Sequence, residues 1–197
     1  MCQVVFDQSS TISASRILIF ETKLYLSVIY FAYFDSSNSN YNHALYFSTD
    51  SAVPFEVKIY NNNAMIGTVI ISKGAPQIFS LNTNFIRTTN HSTAAVPNNM
   101  GIYTKGERPY FVSLRIALNA HGEIITSKGK AGIGTRFYSA AAPITASRSI
   151  LNFTTGIMAT EDNTNVTISG YDPGVKFKNI PTPTPPTINV TLNKGQS

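Results

Sequence analysis

The chain has 197 residues, of which 43% are hydrophobic and 13% charged, about half the usual charged share. Its net charge is +5, but the basic residues are scattered, whereas nucleic-acid-binding proteins concentrate theirs in a patch or stripe. The single cysteine, Cys2, excludes an internal disulfide and a cysteine-based zinc site. We therefore expect no nucleic-acid partner. A chain of this length is long enough to bury its own core.

Residues 1–40 differ from the rest of the chain. The apolar stretch Leu24–Phe34 carries no charge and is too short to span a membrane, which takes about 20 residues. Its length, with Lys23 before it and Ser36–Ser39 after it, is typical of a signal peptide, although no clean cleavage motif follows. Three interpretations stay open for this segment: a signal or anchor, a buried strand, or a start codon assigned upstream of the true one.

From Ala44 onward the sequence alternates strand and turn patterns. A hairpin is predicted over 55–72, where apolar and polar residues alternate and Asn61–Asn63 supplies the turn. The strongest single strand is Tyr110–Leu118. We expect one of its faces to carry Tyr110, Val112, Leu114 and Ile116 and the other Phe111, Ser113, Arg115 and Ala117. Shorter extended segments are predicted over 44–48, 77–81, 100–104, 123–127, 135–142, 150–160 and 188–192.

A second β-hairpin is predicted over Gly156–Ser169 (GIMATEDNTNVTIS), with apolar alternation on both sides of a polar turn. The proline-rich stretch 180–187 after it favours an extended conformation without sheet hydrogen bonds. It is either an interdomain linker or a crossing at a sheet edge. The sequence shows no long apolar repeat of 3.6 residues, and its aromatic and β-branched residues suit a pleated surface. The fold class predicted is all-β, an antiparallel β-sandwich-like module.

Residues that could carry chemistry are few. Glu161 and Asp162 are the closest carboxylate pair, but neighbouring residues in a strand point in opposite directions, which disfavours a shared catalytic role. Asp162 and Asn163 are typical turn formers; weak calcium ligation by Glu161 and Asp162 stays open. Gly132 and Gly134 predict a tight turn before a strand, since the loop lacks the order of a phosphate-binding motif.

The remaining candidates have ordinary structural interpretations. His43, His91 and His121 lie far apart in the sequence, and we interpret them as solvated loop residues. Arg115, in the middle of a strand, is expected to pair with a carboxylate on a neighbouring strand. We therefore predict no catalytic residue, no cofactor and no metal beyond the weak calcium candidates.

Three segments resemble, in their order along the chain, the motifs of one family. They are Lys130–Tyr138 (KAGIGTRFY), Gly156–Ile168 (GIMATEDNTNVTI) and Ile188–Ser197 (INVTLNKGQS). Over about residues 44–197 the chain resembles the IgG Fc-binding protein N-terminal domain family. That resemblance implies a β-rich domain over 41–197 of a larger surface or secreted protein of Bacteroidetes, of the gliding-motility type exported by type IX secretion. Family members continue beyond the last motif, so we expect the chain to be a fragment.

These observations together predict a non-enzymatic module that lies outside the cell or on its surface. Adhesion or ligand binding and a structural spacer role are both consistent with it, and the expected partner is an extracellular protein or glycan besides the rest of the larger chain. The alternative is a carbohydrate-binding accessory domain of a secreted hydrolase. IgG binding itself is not implied, because a shared fold does not carry a binding activity with it.

Overall fold

The computed structural model describes residues 2–7, 42–86, 95–118, 121–126, 133–139 and 155–197. In these residues the regular structure is eleven β-strands and one short 3-10 helix at Thr83–Phe85, and every strand ladder is antiparallel. The predicted all-β class is confirmed. The strands are β1 (Cys2–Asp7), β2 (Asn42–Ser48), β3 (Phe55–Asn61), β4 (Ala64–Ile71), β5 (Gln77–Leu81), β6 (Ile102–Gly106), β7 (Phe111–Leu118), β8 (His121–Thr126), β9 (Arg136–Ser139), β10 (Thr164–Ser169) and β11 (Thr187–Leu192).

Two sheets form the sandwich-like body. One has the strand order β5-β2-β7-β8 and the other β4-β3-β6. Buried apolar side chains of both sheets belong to one core, which includes Leu45, Val57, Ile59, Leu114 and Ile116. The inner residues recur at every second position of β3 and β7, because successive side chains of a strand point to opposite faces. The sequence-predicted facing of Tyr110, Val112, Leu114 and Ile116 is confirmed, since all four are buried.

The predicted hairpin over 55–72 is confirmed as β3 and β4. Asn62 and Asn63 connect the strands with positive φ angles of 40° and 65°, the backbone that a type I′ turn requires and that asparagine tolerates. The turn residues and the alternation therefore agree locally, which is why this hairpin could be predicted from the sequence.

The third sheet has the order β11-β10-β1-β9 and is called the terminal sheet below. Its small core consists of Ala159, Val166 and Leu192 with half-buried neighbours. β1 comes from the segment 1–40 that the sequence sets apart, and it lies between β10 and β9. The rest of that segment lies outside the described residues, and its interpretation as a leader stays a prediction.

The predicted hairpin over 156–169 is wrong. Only Thr164–Ser169 is a strand, and its ladder partners are β1 and β11. The backbone of Ala159 instead exchanges hydrogen bonds with Gln196 and Gly195, each at 2.9 Å. The alternation of Ile157 and Ala159 reflects contact with the small core and not pairing with β10, because apolar periodicity reports which side chains are buried and leaves the pairing partner open.

The proline-rich stretch is a crossing within the terminal sheet, since it belongs to the connection between the neighbours β10 and β11. The Tyr171 hydroxyl donates a hydrogen bond to the Pro185 carbonyl, and Thr184 Oγ1 donates to the Val175 carbonyl at 2.6 Å. Both hydrogen bonds join residues within the β10–β11 connection. The interdomain-linker interpretation is therefore not needed.

The turn after β11 attaches the terminal sheet to the sandwich. Asn98 and Ser197 exchange two backbone hydrogen bonds, at 2.9 and 3.0 Å, and Asn63 Nδ2 donates to the Lys194 carbonyl at 3.3 Å. Gly195 has a φ of +81°, and a Cβ there would lie 3.1 Å from the Cα of Asn62. Glycine is required at this position both for its backbone angle and for the close approach.

Candidate functional site

The turn that precedes β10 contains three of the residues singled out from the sequence. Thr164 Oγ1 donates to the carbonyl of Glu161 at 2.8 Å, and Asn163 has a φ of 55°, in the left-handed region that asparagine tolerates. Asp162 accepts a hydrogen bond from the backbone N–H of Lys194 at 3.0 Å. The carboxylate therefore joins two turns that are far apart in sequence, instead of bonding to an amide two residues further on as local turn chemistry predicts.

Calcium ligation would need several oxygen ligands around one point. The side chain of Asp162 is exposed and engaged with the turn after β11, and Glu161 is half-buried. Among the described residues no group of three or more His, Cys, Asp or Glu side chains lies together. The turn offers one engaged carboxylate and one neighbour, and the calcium interpretation stays a prediction.

The other residues singled out from the sequence are separated in the fold. Gly134 lies two residues before β9, where a Cβ would be 3.3 Å from the ring of Phe137, and Gly132 lies outside the described residues. His91 also lies outside them. His121 begins β8, and His43 lies in β2 and is buried, so the interpretation of both as loop residues is wrong.

Arg115 has a different partner from the one expected. Its guanidinium lies over the ring of Tyr46, with Cζ 4.0 Å from the ring centroid. In the β2–β7 ladder Arg115 is opposite Ala44, so Tyr46 is a diagonal neighbour, within reach of a long side chain. The predicted pairing with a carboxylate is replaced by a cation–π contact, which is favourable by about 0.5–1 kcal/mol at exposed sites.

Arg115 and Tyr46 lie on the outer face of the sheet β5-β2-β7-β8, which we call the apolar face. Register places Ile78 opposite Tyr46 and Ile124 opposite Arg115. The four residues form a diagonal row with one member on each strand, which we call the Arg115 stripe. Phe111 lies on the same face further along β7.

The large side chains of the apolar face are unusually exposed. Ile78 is 59% exposed, Phe111 65% and Ile124 66%. Scattered apolar residues are ordinary on protein surfaces, but these share one face with an aromatic ring and an arginine. Aromatic residues and arginine are the residue types enriched at binding surfaces and hot spots.

The opposite side of the sandwich, the outer face of the sheet β4-β3-β6, is called the charged face. Lys58 lies opposite Lys105, and its Nζ is 3.6 Å from Glu56. Tyr60 and Tyr103 stack with ring centroids 4.7 Å apart. Register also places Ile70 opposite Glu56 and Met65 opposite Tyr60, and these two side chains are 65% and 58% exposed. The charged face therefore combines charged groups and tyrosines with exposed apolar side chains.

Polar side chains on the terminal sheet bond mainly to each other. Thr167 donates to Asn189 Oδ1 at 2.8 Å and Thr191 donates to Asn165 Oδ1 at 2.9 Å. In each pair the threonine lies directly opposite the asparagine in the ladder between β10 and β11. These threonine donors are already engaged, which leaves the apolar face as the better candidate for contact with a partner.

Sequence reasoning placed Phe111 and Arg115 on one face of β7 but did not identify them as a site. The available signal was a large aromatic residue among the outward positions of an otherwise alternating strand. Ile78 and Ile124 had no such signal, because only the register between strands brings them beside Tyr46 and Arg115.

Comparison with family models, with curated proteins and with solved structures gives no match for this chain. The resemblance to the IgG Fc-binding protein N-terminal domain family therefore stays a prediction that depends on the sequence motifs. Within the described part of the chain, no helix has the length and apolar character needed to cross a membrane.

Proposed function

We propose that this chain is a non-catalytic module of an extracellular or surface protein and that it acts by binding a partner through the apolar face. The observation that carries the proposal is the group of Ile78, Phe111 and Ile124, each more than half exposed, around the Tyr46–Arg115 contact. Burial of apolar area stabilises a complex by roughly 25 cal/mol per Å². On the charged face a partner would also have to cover Glu56, Lys58 and Lys105, and burying charged groups costs free energy unless they are paired.

The assignment to the outside of the cell, and to surface proteins of Bacteroidetes exported by type IX secretion, is part of this proposal and is supported by the sequence motifs. Adhesion is favoured over a spacer role by the apolar face, because a spacer has no need to expose a cluster of large apolar side chains. The carbohydrate-binding alternative would use the same face or the tyrosines of the charged face.

The test is a binding survey with two matched variants. The purified chain is passed over immobilised extracellular matrix proteins, serum immunoglobulin and a glycan panel in a surface-based binding assay. The first variant combines I78T, F111T and I124T, since threonine keeps a high strand propensity at each position. The second variant, K58T with T68K, rearranges the charged face and leaves the apolar face unchanged.

We expect at least one protein ligand, with affinity lowered about tenfold or more by the triple variant, because hot-spot truncations commonly cost more than 1.4 kcal/mol each. The control should bind like the unaltered chain. A chain that binds nothing in the survey contradicts the binding role and supports the spacer. Equal binding by the triple variant contradicts the apolar face as the site, and a ligand found only among glycans supports the carbohydrate alternative.

A further inference from the structure

We infer that the Arg115 stripe recognises a protein segment that presents a carboxylate between apolar side chains, with the carboxylate on the Arg115 guanidinium. This inference rests on the proposed binding function and specifies the partner's chemistry.

The apolar face presents a partner with one positive charge. Register assigns eleven positions with described side chains to the apolar face, and Arg115 is the single charged residue among them. The remaining positions are Asn42, Ala44, Tyr46, Ser48, Ile78, Ser80, Phe111, Ser113, Ala117 and Ile124. A partner that covers this face must therefore supply the anion that compensates the buried guanidinium.

The position of the guanidinium favours a carboxylate. Arginine presents a planar fork of donors that matches two carboxylate oxygens. The ring of Tyr46, 4.0 Å from Cζ, supports one side of that plane and reduces the conformational entropy lost when a ligand binds. The guanidinium N–H groups can donate hydrogen bonds to a carboxylate while Cζ stays over the ring.

The surrounding side chains favour a protein over a sugar or a nucleic acid. At the two ends of the stripe, Ile78 and Ile124 are mostly exposed and have no flat ring on which a sugar or a base could stack. The ring of Tyr46 is covered by the Arg115 guanidinium, and Phe111 lies outside the stripe. Branched aliphatic side chains are matched by other apolar side chains. One cation on this face is also too few for a nucleic acid, whose affinity depends on neutralising several phosphates.

Spacing sets the length of the recognised segment. Adjacent strands are about 4.8 Å apart, so the four-strand stripe is roughly 14 Å across. Side chains at every second position of an extended segment lie about 6.8 Å apart on one face. A segment with the order apolar, any residue, acidic, any residue, apolar can therefore place its carboxylate near Arg115 and its apolar ends near Ile124 and Ile78.

The experiment uses synthetic peptides and the full chain. The probe is a blocked pentapeptide with leucine at both ends, aspartate at the centre and serine between them, and its control has asparagine at the centre. Polygalacturonate serves as an acidic glycan probe. Binding is followed by amide chemical shifts in the labelled protein, with Arg115→Gln as the test variant and Lys105→Gln as the matched control on the charged face.

We expect the aspartate peptide to shift amides of β2, β7 and β8, with about fivefold weaker binding of the asparagine peptide. Arg115→Gln should remove this discrimination and Lys105→Gln should retain it. Equal binding of the two peptides, or binding of polygalacturonate alone, overturns the inference. So does a self-association of the chain that Arg115→Gln abolishes, since the occupant would then be a second copy.

The two proposals fail in distinguishable ways. If the ligand found in the survey loses affinity for the I78T, F111T and I124T variant but not for Arg115→Gln, the binding function stands and the carboxylate inference is wrong. If neither change affects any ligand, the apolar face is not the site, and both proposals are wrong.

Discussion

The two outer faces of the sandwich cover the same core and differ in the number of charged side chains that they carry. On the charged face, Lys58 is 3.6 Å from Glu56 and lies opposite Lys105. On the apolar face, Arg115 has an aromatic neighbour and is surrounded by exposed aliphatic and aromatic side chains. Both faces expose large apolar side chains, including Ile70 and Met65 on the charged face, but on the charged face these side chains lie among several charged groups.

The contrast shows where stability alone fails to explain the sequence. A sheet face in water gains little from isoleucine or phenylalanine that it would not gain from threonine, which also packs well on a pleated surface. Exposed apolar clusters also raise the risk of association. On the apolar face such side chains surround a single arginine, and we infer a function other than folding for this face.

The largest expected effect comes from the inner side of β7. Leu114 is fully buried, so Leu114→Ala should lower the free energy of unfolding by about 3 kcal/mol, through lost transfer energy and the cavity left behind. Denaturant unfolding measures the change. Ser113→Ala, the neighbouring outward position, should change stability by less than about 0.5 kcal/mol. Similar effects at the two positions would contradict the inner and outer assignment of β7.

A pH-dependent effect is expected at Tyr110, just before β7. Its hydroxyl is 2.8 Å from Thr104 Oγ1, and burial raises its pKa well above the usual value near 10. The unfolded chain releases this proton first, so stability is full below about pH 10 and falls above it by up to roughly 1.4 kcal/mol per pH unit.

Tyr110→Phe removes this ionisation and the hydrogen bond to Thr104, which contributes about 1 kcal/mol. The variant should be less stable near neutral pH and should lose less stability above about pH 10. Tyr103→Phe is the control, because burial and Tyr60 also raise the pKa of Tyr103 at a half-buried position. Parallel pH profiles for Tyr110→Phe and the unaltered chain would show that the pKa of Tyr110 is the same in the folded and the unfolded chain, which contradicts this prediction.

Sequence patterns predict those parts of the fold in which local signals agree. The β3–β4 hairpin has both alternation and an asparagine turn, and β7 has a regular inner face. The segment 156–169 has the same kinds of signal, but β10 pairs with strands from both ends of the chain. Alternation cannot distinguish these partners, since every candidate strand has the same period.

The candidate site depends even more on register. Arg115 was identifiable as a mid-strand cation, and its expected partner was a carboxylate. The residue that it contacts, Tyr46, comes from a strand more than 60 residues earlier, and the ladder between β2 and β7 decides the contact. Ile78 and Ile124 join the stripe through two further ladders, so the face exists only once all four strands are aligned.

On the charged face, a change of sign at one lysine should stabilise the chain. Lys105 lies directly opposite Lys58, and like charges at that position are unfavourable. Lys105→Glu should raise the free energy of unfolding by about 0.5 kcal/mol at low salt, with a smaller gain at high salt. It should also raise the pKa of Tyr103 further, because Lys105 lowers that pKa in the present chain.

Thermal unfolding at two salt concentrations and an ultraviolet titration of tyrosine measure these changes. Lys105→Gln is the control, since it removes the like charge without adding an attraction and should give a smaller gain. A loss of stability in Lys105→Glu that does not depend on salt would mean that the lysine stem, rather than its charge, contributes to this face.

The smallest expected effect is on β8, at one edge of the apolar face. Ile124 is 66% exposed, so Ile124→Thr should change the free energy of unfolding by no more than about 0.5 kcal/mol, as measured in denaturant beside the unaltered chain. Ile124→Val is the matched control for strand propensity and branching. A loss of more than about 1 kcal/mol in the threonine variant but not in the valine variant would mean that the side chain is covered in solution. The apolar face would then belong to the folded core of the protein, and its composition would be explained by stability without a partner.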